Sequence, residues 1–114
     1  MLDEQLVKRL LNLYGQRAIL ILENLKRNKD SFKYISWERR LTDEEIRHII
    51  DFEFVEVPLD ILIRRLNIAF QDSKEVVAML PQVIEIYGNR KKWDDMRKKN
   101  EYKSNLELYH KYKF

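Results

Sequence analysis

Cysteine is absent from this 114-residue chain, and glycine and proline occur only twice each. Without cysteine the chain can hold neither a disulfide nor a thiolate zinc cluster, and a reducing compartment is compatible with it. Gly15 and Gly88 lie too far apart to build the phosphate-binding loop of a P-loop or dinucleotide-binding protein. Scarce glycine and proline also leave little turn chemistry for a many-stranded sheet. The sequence therefore predicts an all-α protein.

Long apolar segments are lacking too. No unbroken apolar run exceeds the five residues of "AILIL", whereas a membrane-spanning helix needs about 20. The chain begins with the acidic stretch "MLDEQ", which is unlike the basic start of a secretory signal. We therefore expect no contact with membranes and a cytoplasmic location.

Residue patterns of catalytic or metal sites are missing as well. His48 and His110 lie in different segments and form no metal-binding motif. Adjacent carboxylates such as Asp94 and Asp95 are common on the solvated faces of helices. The sequence predicts no metal site, no cofactor and no enzymatic activity.

The composition, 45% hydrophobic and 36% charged, suits one small domain with a modest core. We expect a small bundle of four to five helices, with a helical domain over residues 1–88. Residues 89–114 carry nine Lys or Arg against four Asp or Glu, a formal charge of +5 that leaves −2 for the rest. This segment is predicted to be a basic, partly ordered helix or tail.

The first predicted helix spans Asp3 to Arg27, where apolar residues recur at alternating spacings of four and three. Its apolar face is wider than one core contact requires. Either the helix is central and covered by its own domain, or it pairs with a second copy or a partner. Gly15 marks a close helix approach or a bend. The residues predicted for the interface are Leu6, Val7, Leu10, Leu11 and Leu13.

The words "LTDEEI" predict the start of a second helix. Thr42 can accept the backbone N–H of Glu45, whose side chain can reach back in a capping box. The stretch "DFEFVEV" that follows is interpreted as the helix end and a connector, with a short strand as the alternative.

A third helix is predicted to start at Pro58, with Leu62 and Leu66 on its core face. The fourth apolar pattern contains Pro81, so that helix is either kinked or begins there.

The basic segment mixes cations with aromatic residues, a pattern that suits phosphate contacts and base stacking. The alternative is a solvated helix with intrahelical pairs such as Asp94–Lys98 and Asp95–Lys99. The residues predicted to bind nucleic acid are Arg90, Lys91, Lys92, Trp93, Arg97, Lys98, Lys99 and Lys103.

Residues 41–87, from "LTDEEIRHIIDFEFVEVPLDILIRRLNIAFQD" through "MLPQVIEIY", resemble the C-terminal domain of the DnaD/DnaB family of bacterial and phage replication-initiation proteins. The words "PLDILI" and "NIAF" carry the resemblance, together with the spacing of Met79, Val83, Ile84 and Tyr87. The resemblance implies DNA binding through the charged segment and contact with helicase-loading machinery.

The expected function is thus a DNA-binding or helicase-loader-type accessory module in DNA replication, related to phages or plasmids. The alternative is a non-enzymatic interaction factor, a small phage or plasmid protein that binds a host protein through its first helix. The expected partners are DNA and another protein, with a homodimer as a further possibility.

Overall fold

A computed structural model describes residues 2–53, 55–65 and 73–112 of the chain. These residues are mostly helical, which confirms the predicted all-α class. The elements in chain order are α1 (Glu4–Tyr14), a 3-10 turn (Gly15–Arg17), α2 (Ala18–Arg27), β1 (Tyr34–Ser36), β2 (Leu41–Thr42), α3 (Asp43–Phe52), α4 (Pro58–Asp60), a π-helical turn (Ile61–Arg65), α5 (Ser73–Lys91) and α6 (Asp95–Tyr112).

The internal contacts of the chain divide it into two compact units, Met1–His48 and Ile49–Phe114. The division falls inside α3. The boundary predicted after residue 88 stays a prediction.

The first predicted helix is broken at Gly15. This residue ends α1 with φ 59° and ψ −130°, and its N–H donates to the carbonyl of Leu11. No heavy atom lies within 4 Å of the position that a Cβ on Gly15 would take. Glycine is therefore needed for the backbone angle rather than for close helix packing. Of the two predicted roles of Gly15, the bend is the one observed.

The core of the first unit is a cluster of fully buried residues from α1 and α2. Several partly buried side chains pack against it, including Tyr14, Phe32 and Tyr34. The buried members are Leu6, Leu10, Ala18, Ile21 and Leu25.

A two-stranded antiparallel ribbon precedes α3. Tyr34 pairs with Thr42 and Ser36 with Leu41, with a register shift between the two pairs. The strands are only three and two residues long, too short to show the alternation by which a strand is recognised. The Thr42 hydroxyl accepts the N–H of Glu45 at 3.3 Å, so the predicted cap of α3 is confirmed.

In the second unit, α3 ends at Phe52 and no strand follows in residues 53 and 55–57. The connector interpretation of "DFEFVEV" therefore holds for the residues described. Pro58 opens α4 as predicted, whereas the predicted core residue Leu66 lies outside the described residues. The helix α5 begins at Ser73 and contains Pro81, so it does not begin at that proline.

The side chain of Asn105 connects α4 and α6. Its Oδ1 accepts the N–H of Leu59 at 3.0 Å, and its Nδ2 donates to the carbonyl of Glu101 at 2.7 Å. Asn105 is almost fully buried. Both of its polar atoms are thus satisfied, as a buried amide requires.

Candidate functional site

The basic segment is helical rather than a loose tail. α5 runs to Lys91, and α6 starts at Asp95. Between them Trp93 donates its N–H to the carbonyl of Gly88 at 2.8 Å, and Lys92 donates to that of Asn89 at 3.3 Å. These two bonds are the Schellman motif of a helix end, with Lys92 in the left-handed position at φ 61°.

Three of the predicted nucleic-acid contacts form ion pairs within the second unit. Arg90 pairs with Asp51 at 2.9 Å, Arg97 with Glu101 at 3.0 Å, and Lys98 with Glu85 at 2.8 Å. Part of the positive charge on each of these three residues is therefore already neutralised within the domain.

The intrahelical pair expected between Asp94 and Lys98 is not the one observed. Lys98 reaches across to Glu85 and also donates to Asn89 at 2.7 Å. The Asp94 carboxylate instead caps α6, because it accepts the N–H of Arg97 at 2.7 Å.

Trp93 packs against side chains of its own unit. Its ring centroid lies 5.2 Å from that of Tyr87, and the Arg97 guanidinium lies 4.6 Å above the indole. The Lys91 ammonium lies 5.5 Å from the Tyr87 ring. The Tyr87 hydroxyl is 3.3 Å from the carbonyl oxygen of Val55. Burial raises the pKa of Tyr87, and nearby carboxylates add to the effect.

The two remaining cations of the prediction, Lys99 and Lys103, face an open groove between α5 and α6. We call this the hairpin groove; its volume is about 530 Å³. It is lined by Pro81, Ile84, Glu85, Met96, Lys98, Lys99, Asn100, Tyr102 and Lys103. The structure thus brings three of the eight predicted residues together on an apolar surface.

The predicted interface residues of α1 fall into two groups. Leu6 and Leu10 are fully buried in the core of the first unit, and Val7 is partly buried. Leu11 is 45% exposed and Leu13 is 59% exposed. Contact of α1 with a second copy stays a prediction, and Leu11 and Leu13 have the exposure that it requires.

A polar cluster that the sequence did not reveal lies between α1 and α3. Glu45 has a fully buried side chain, and both its oxygens face the Arg9 guanidinium, with Nη2 to Oε2 at 3.2 Å. Tyr14 donates to Glu45 at 2.7 Å, and its ring meets that of His48 edge to face. Glu45 therefore connects two helices instead of completing the predicted capping box.

An aromatic cleft of about 800 Å³ opens in the first unit. Tyr34 is in edge-to-face contact with Phe32 and Trp37, and the Arg40 guanidinium lies 3.8 Å above the Trp37 ring. The cleft is lined by Leu2, Asp3, Lys26, Lys29, Asp30, Phe32, Tyr34 and Trp37. Apart from the aromatic residues between two predicted helices, no sequence pattern indicated this cleft.

Asp3, which lines this cleft, is held by an ion pair with Arg40. Arg40 donates to Asp3 at 2.9 Å, and this hydrogen bond lowers the pKa of the Asp3 carboxyl. Burial raises the pKa of Tyr34, and the negative charge of Asp3 raises it further.

Within the described residues, no group of three or more His, Asp or Glu side chains is placed to hold a metal ion. Among the same residues, no helix is both long and apolar enough to cross a bilayer.

Comparison with known proteins gives a consistent set of relatives. A family model described as the C-terminal domain of alpha-glycerophosphate oxidase matches residues 1–98. A probable glycerol-3-phosphate dehydrogenase of Encephalitozoon cuniculi is 28% identical over 109 residues, which are 96% of this chain and 17% of that protein. No solved structure matches.

Two fungal proteins named mitochondrial glycerol-3-phosphate dehydrogenase are also similar. The Saccharomyces cerevisiae protein is 29% identical over 67% of this chain and 11% of its own length. The Schizosaccharomyces pombe protein is 28% identical over 80% of this chain and 18% of its own length. The chain therefore spans about a sixth, or less, of the curated relatives that it matches.

These findings overturn the functional expectations from the sequence. The resemblance to the DnaD/DnaB family is wrong, because the motifs that suggested it consist of apolar positions that any helical domain can share. The predicted replication module, DNA-binding function and phage-related interaction factor are wrong with it. The prediction of no enzymatic activity is contradicted as well, because the relatives are named as dehydrogenases.

The match to the family model is broad rather than confined to one motif. It covers the first compact unit and the second as far as residue 98, and it includes the polar cluster, the aromatic cleft and the first turn of α6. The chain belongs to the family of the C-terminal domain of alpha-glycerophosphate oxidase.

Proposed function

We propose that this chain is the C-terminal domain portion of an oxidoreductase that acts on glycerol 3-phosphate. In this proposal the chain supports the catalytic portion by binding to it and supplies none of the reacting groups. The observation that carries the proposal is the family match over residues 1–98. The shared name of the relatives, glycerol-3-phosphate dehydrogenase, supplies the substrate.

The composition supports this division of labour. The region shared with this chain is 11–18% of the length of these relatives, so most of each enzyme lies elsewhere. Two distant glycines cannot form a loop that cradles a phosphate. The oxidation is therefore assigned to the larger portion, and the helical domain is assigned a binding role.

The charged residues fit a binding domain better than a reaction centre. Arg9 is engaged by Glu45, and Arg97 by Glu101. The two open clefts, in contrast, combine apolar side chains with lysines that are exposed to solvent. Surfaces of this kind suit contact with another protein segment.

The partner expected from the sequence becomes, in this proposal, the larger portion of the enzyme. A homodimer through α1 stays a separate prediction. The two fungal dehydrogenases carry the word mitochondrial in their names. We therefore expect a tagged chain to fractionate with the enzyme to which it belongs. In a host that has mitochondria, this fraction should be mitochondrial rather than cytoplasmic.

A chimera tests the proposal. The 109 matched residues of the Encephalitozoon relative are deleted in one variant and replaced by this chain in another. Activity is measured as glycerol-3-phosphate-dependent reduction of an artificial electron-accepting dye. We expect the deletion to lose activity and the chimera to regain it.

A second chimera provides the control. It carries Leu62→Ala, which opens a cavity in the domain core because Leu62 is fully buried. Its activity should fall at temperatures at which the parent chimera is stable. A deletion variant as active as the intact enzyme, or a folded chimera no better than the deletion, would show that the proposed function is wrong.

A further inference from the structure

The proposed function leaves open which surface of the domain binds the rest of the enzyme. Resting on that function, we infer that the hairpin groove is the docking site for an acidic amphipathic segment of the larger, catalytic portion. The occupant is thus a protein segment with apolar residues on one face and carboxylates beside them.

The floor of the hairpin groove is apolar. Ile84 is buried beneath it, whereas Met96 is 72% exposed at its edge. Methionine side chains adapt their shape to a partner, and exposed methionines are common on surfaces that bind helices. An exposed methionine above a buried isoleucine leaves apolar area that a partner can cover.

The rim of the groove is cationic in a specific way. Of the nine described residues that line it, Glu85 has the single negative charge, and Lys98 already neutralises it at 2.8 Å. Among the described residues, no carboxylate forms an ion pair with Lys99 or Lys103. These two charges are available to a partner.

The spacing of the rim residues suits an extended or helical segment. Met96, Lys99 and Lys103 follow one another at intervals of three and four residues, so they lie on one face of α6. Lys99 and Lys103 are therefore about 6 Å apart along the helix axis, at the rise of about 1.5 Å per residue. A partner that lies along the groove meets an apolar contact first and two positive charges after it.

The chemistry of the occupant follows from this arrangement. Carboxylates beside an apolar side chain complement both the lysines and the floor, and like charge disfavours a basic segment. Nucleic acid is a poorer fit, because phosphate binding needs a track of available cations. Arg90, Arg97 and Lys98 are engaged in ion pairs instead.

A peptide pair tests the chemistry of the groove. The probe is a synthetic helix of about 18 residues with leucines at intervals of three and four and glutamates at most other positions. Its twin has lysine in place of every glutamate. By calorimetry, we expect the acidic peptide to bind the full chain and the basic twin not to bind.

Charge reversal then locates the site. The double variant Lys99→Glu with Lys103→Glu should weaken binding of the acidic peptide at least about tenfold, because opposite charges become like charges. The matched control is Arg17→Glu with Lys33→Glu, two exposed cations of the first unit that undergo the same change in charge. The control should bind as the parent does, and circular dichroism checks that both variants are folded.

The natural occupant is tested with the Encephalitozoon relative lacking its 109 matched residues, co-expressed with this chain. We expect the parent chain and the Arg17/Lys33 control to copurify with it, and the Lys99/Lys103 variant not to copurify.

Association that survives the Lys99/Lys103 change would overturn the docking site while leaving the proposed function in place. If the parent chain itself fails to associate and the chimera is inactive, both are overturned. A thymidine oligonucleotide that bound the groove more tightly than the acidic peptide at physiological salt would also overturn the inference.

Discussion

Arg9 and Glu45, 36 residues apart in sequence, form a two-point ion pair in which the Glu45 side chain is completely buried. Tyr14 completes the arrangement by donating to the same carboxylate. Removal of one partner of such a pair leaves an uncompensated charge, which costs far more than the pair contributes when intact.

Arg9→Ala should therefore destabilise the chain by about 3 kcal/mol, at the lower end of the range for buried pairs because Arg9 is itself 24% exposed. Chemical denaturation measures the free energy of unfolding. The neighbouring change Lys8→Ala is the control, since the Lys8–Glu4 pair is exposed and is worth under about 1 kcal/mol. Equal effects from the two changes would contradict the burial of Glu45.

Gly15→Ala distinguishes a continuous helix through residue 15, as the sequence predicts, from the helix end at Gly15 in the structure. An alanine in a continuous helix would stabilise it by about 1 kcal/mol. At φ 59° and ψ −130°, however, a Cβ strains the backbone, and we expect a loss of about 1–3 kcal/mol. Gln16→Ala, one residue on, should change the stability little. A gain in thermal stability from Gly15→Ala would restore the single-helix interpretation.

Lys92→Gly should stabilise the turn between α5 and α6. Lys92 has a left-handed backbone at φ 61°, which costs an L-residue about 1–2 kcal/mol. Glycine removes this strain, but its greater freedom in the unfolded chain offsets part of the gain in stability. We expect a net gain of about 0.5–1 kcal/mol. Lys103→Gly removes the same charge inside α6 and should cost about 1 kcal/mol. The two changes should thus shift the melting temperature in opposite directions.

The pH dependence of stability at alkaline pH should trace to Tyr87. Burial raises its pKa above the ordinary value of 10.0, so its neutral form is favoured in the folded chain. The resulting stability is present below pH 10.0 and is lost as the pH rises through the folded pKa. Unfolding free energies measured between about pH 8 and 11 should fall less steeply in Tyr87→Phe than in the parent.

A variant at Tyr34 provides the comparison. Its pKa is also raised by burial, so Tyr34→Phe should remove a further part of the slope. An alkaline slope identical in all three proteins would contradict both assignments.

Leu62→Ala should cost about 2–5 kcal/mol, because the side chain is fully buried and its loss leaves a cavity. The matched control is Leu13→Ala, 59% exposed, which should cost under about 0.5 kcal/mol in a monomer. Denaturant titration of both variants gives the comparison. A loss below about 0.5 kcal/mol at Leu62 would show that the π-helical turn Ile61–Arg65 presents a different face to the core.

Local chemistry could be predicted from the sequence, and distant contacts could not. The cap at Thr42 and the helix start at Pro58 depend on residues within one turn, so their patterns were sufficient. The partner of Glu45 lies 36 residues away on α1, and no pattern connects the two. The end of α5 was hidden for another reason, because a lysine occupies the left-handed position that normally signals itself by a glycine.

The candidate sites show the same limit. The basic segment was recognised by its charge, but which cations remain available depends on Asp51, Glu85 and Glu101, and two of these come from other elements. The functional error arose at a further level, because apolar spacing in a helical domain carries little information about family.

The chain has two tryptophans, one in each compact unit, and their surroundings differ. Trp37 is 54% exposed beneath the Arg40 guanidinium, whereas Trp93 is partly buried against Tyr87. An indole in water emits at longer wavelength than one among apolar side chains. Variants with a single tryptophan, Trp37→Phe and Trp93→Phe, therefore give each unit its own fluorescent reporter, and the order in which the units melt can be observed without an added label.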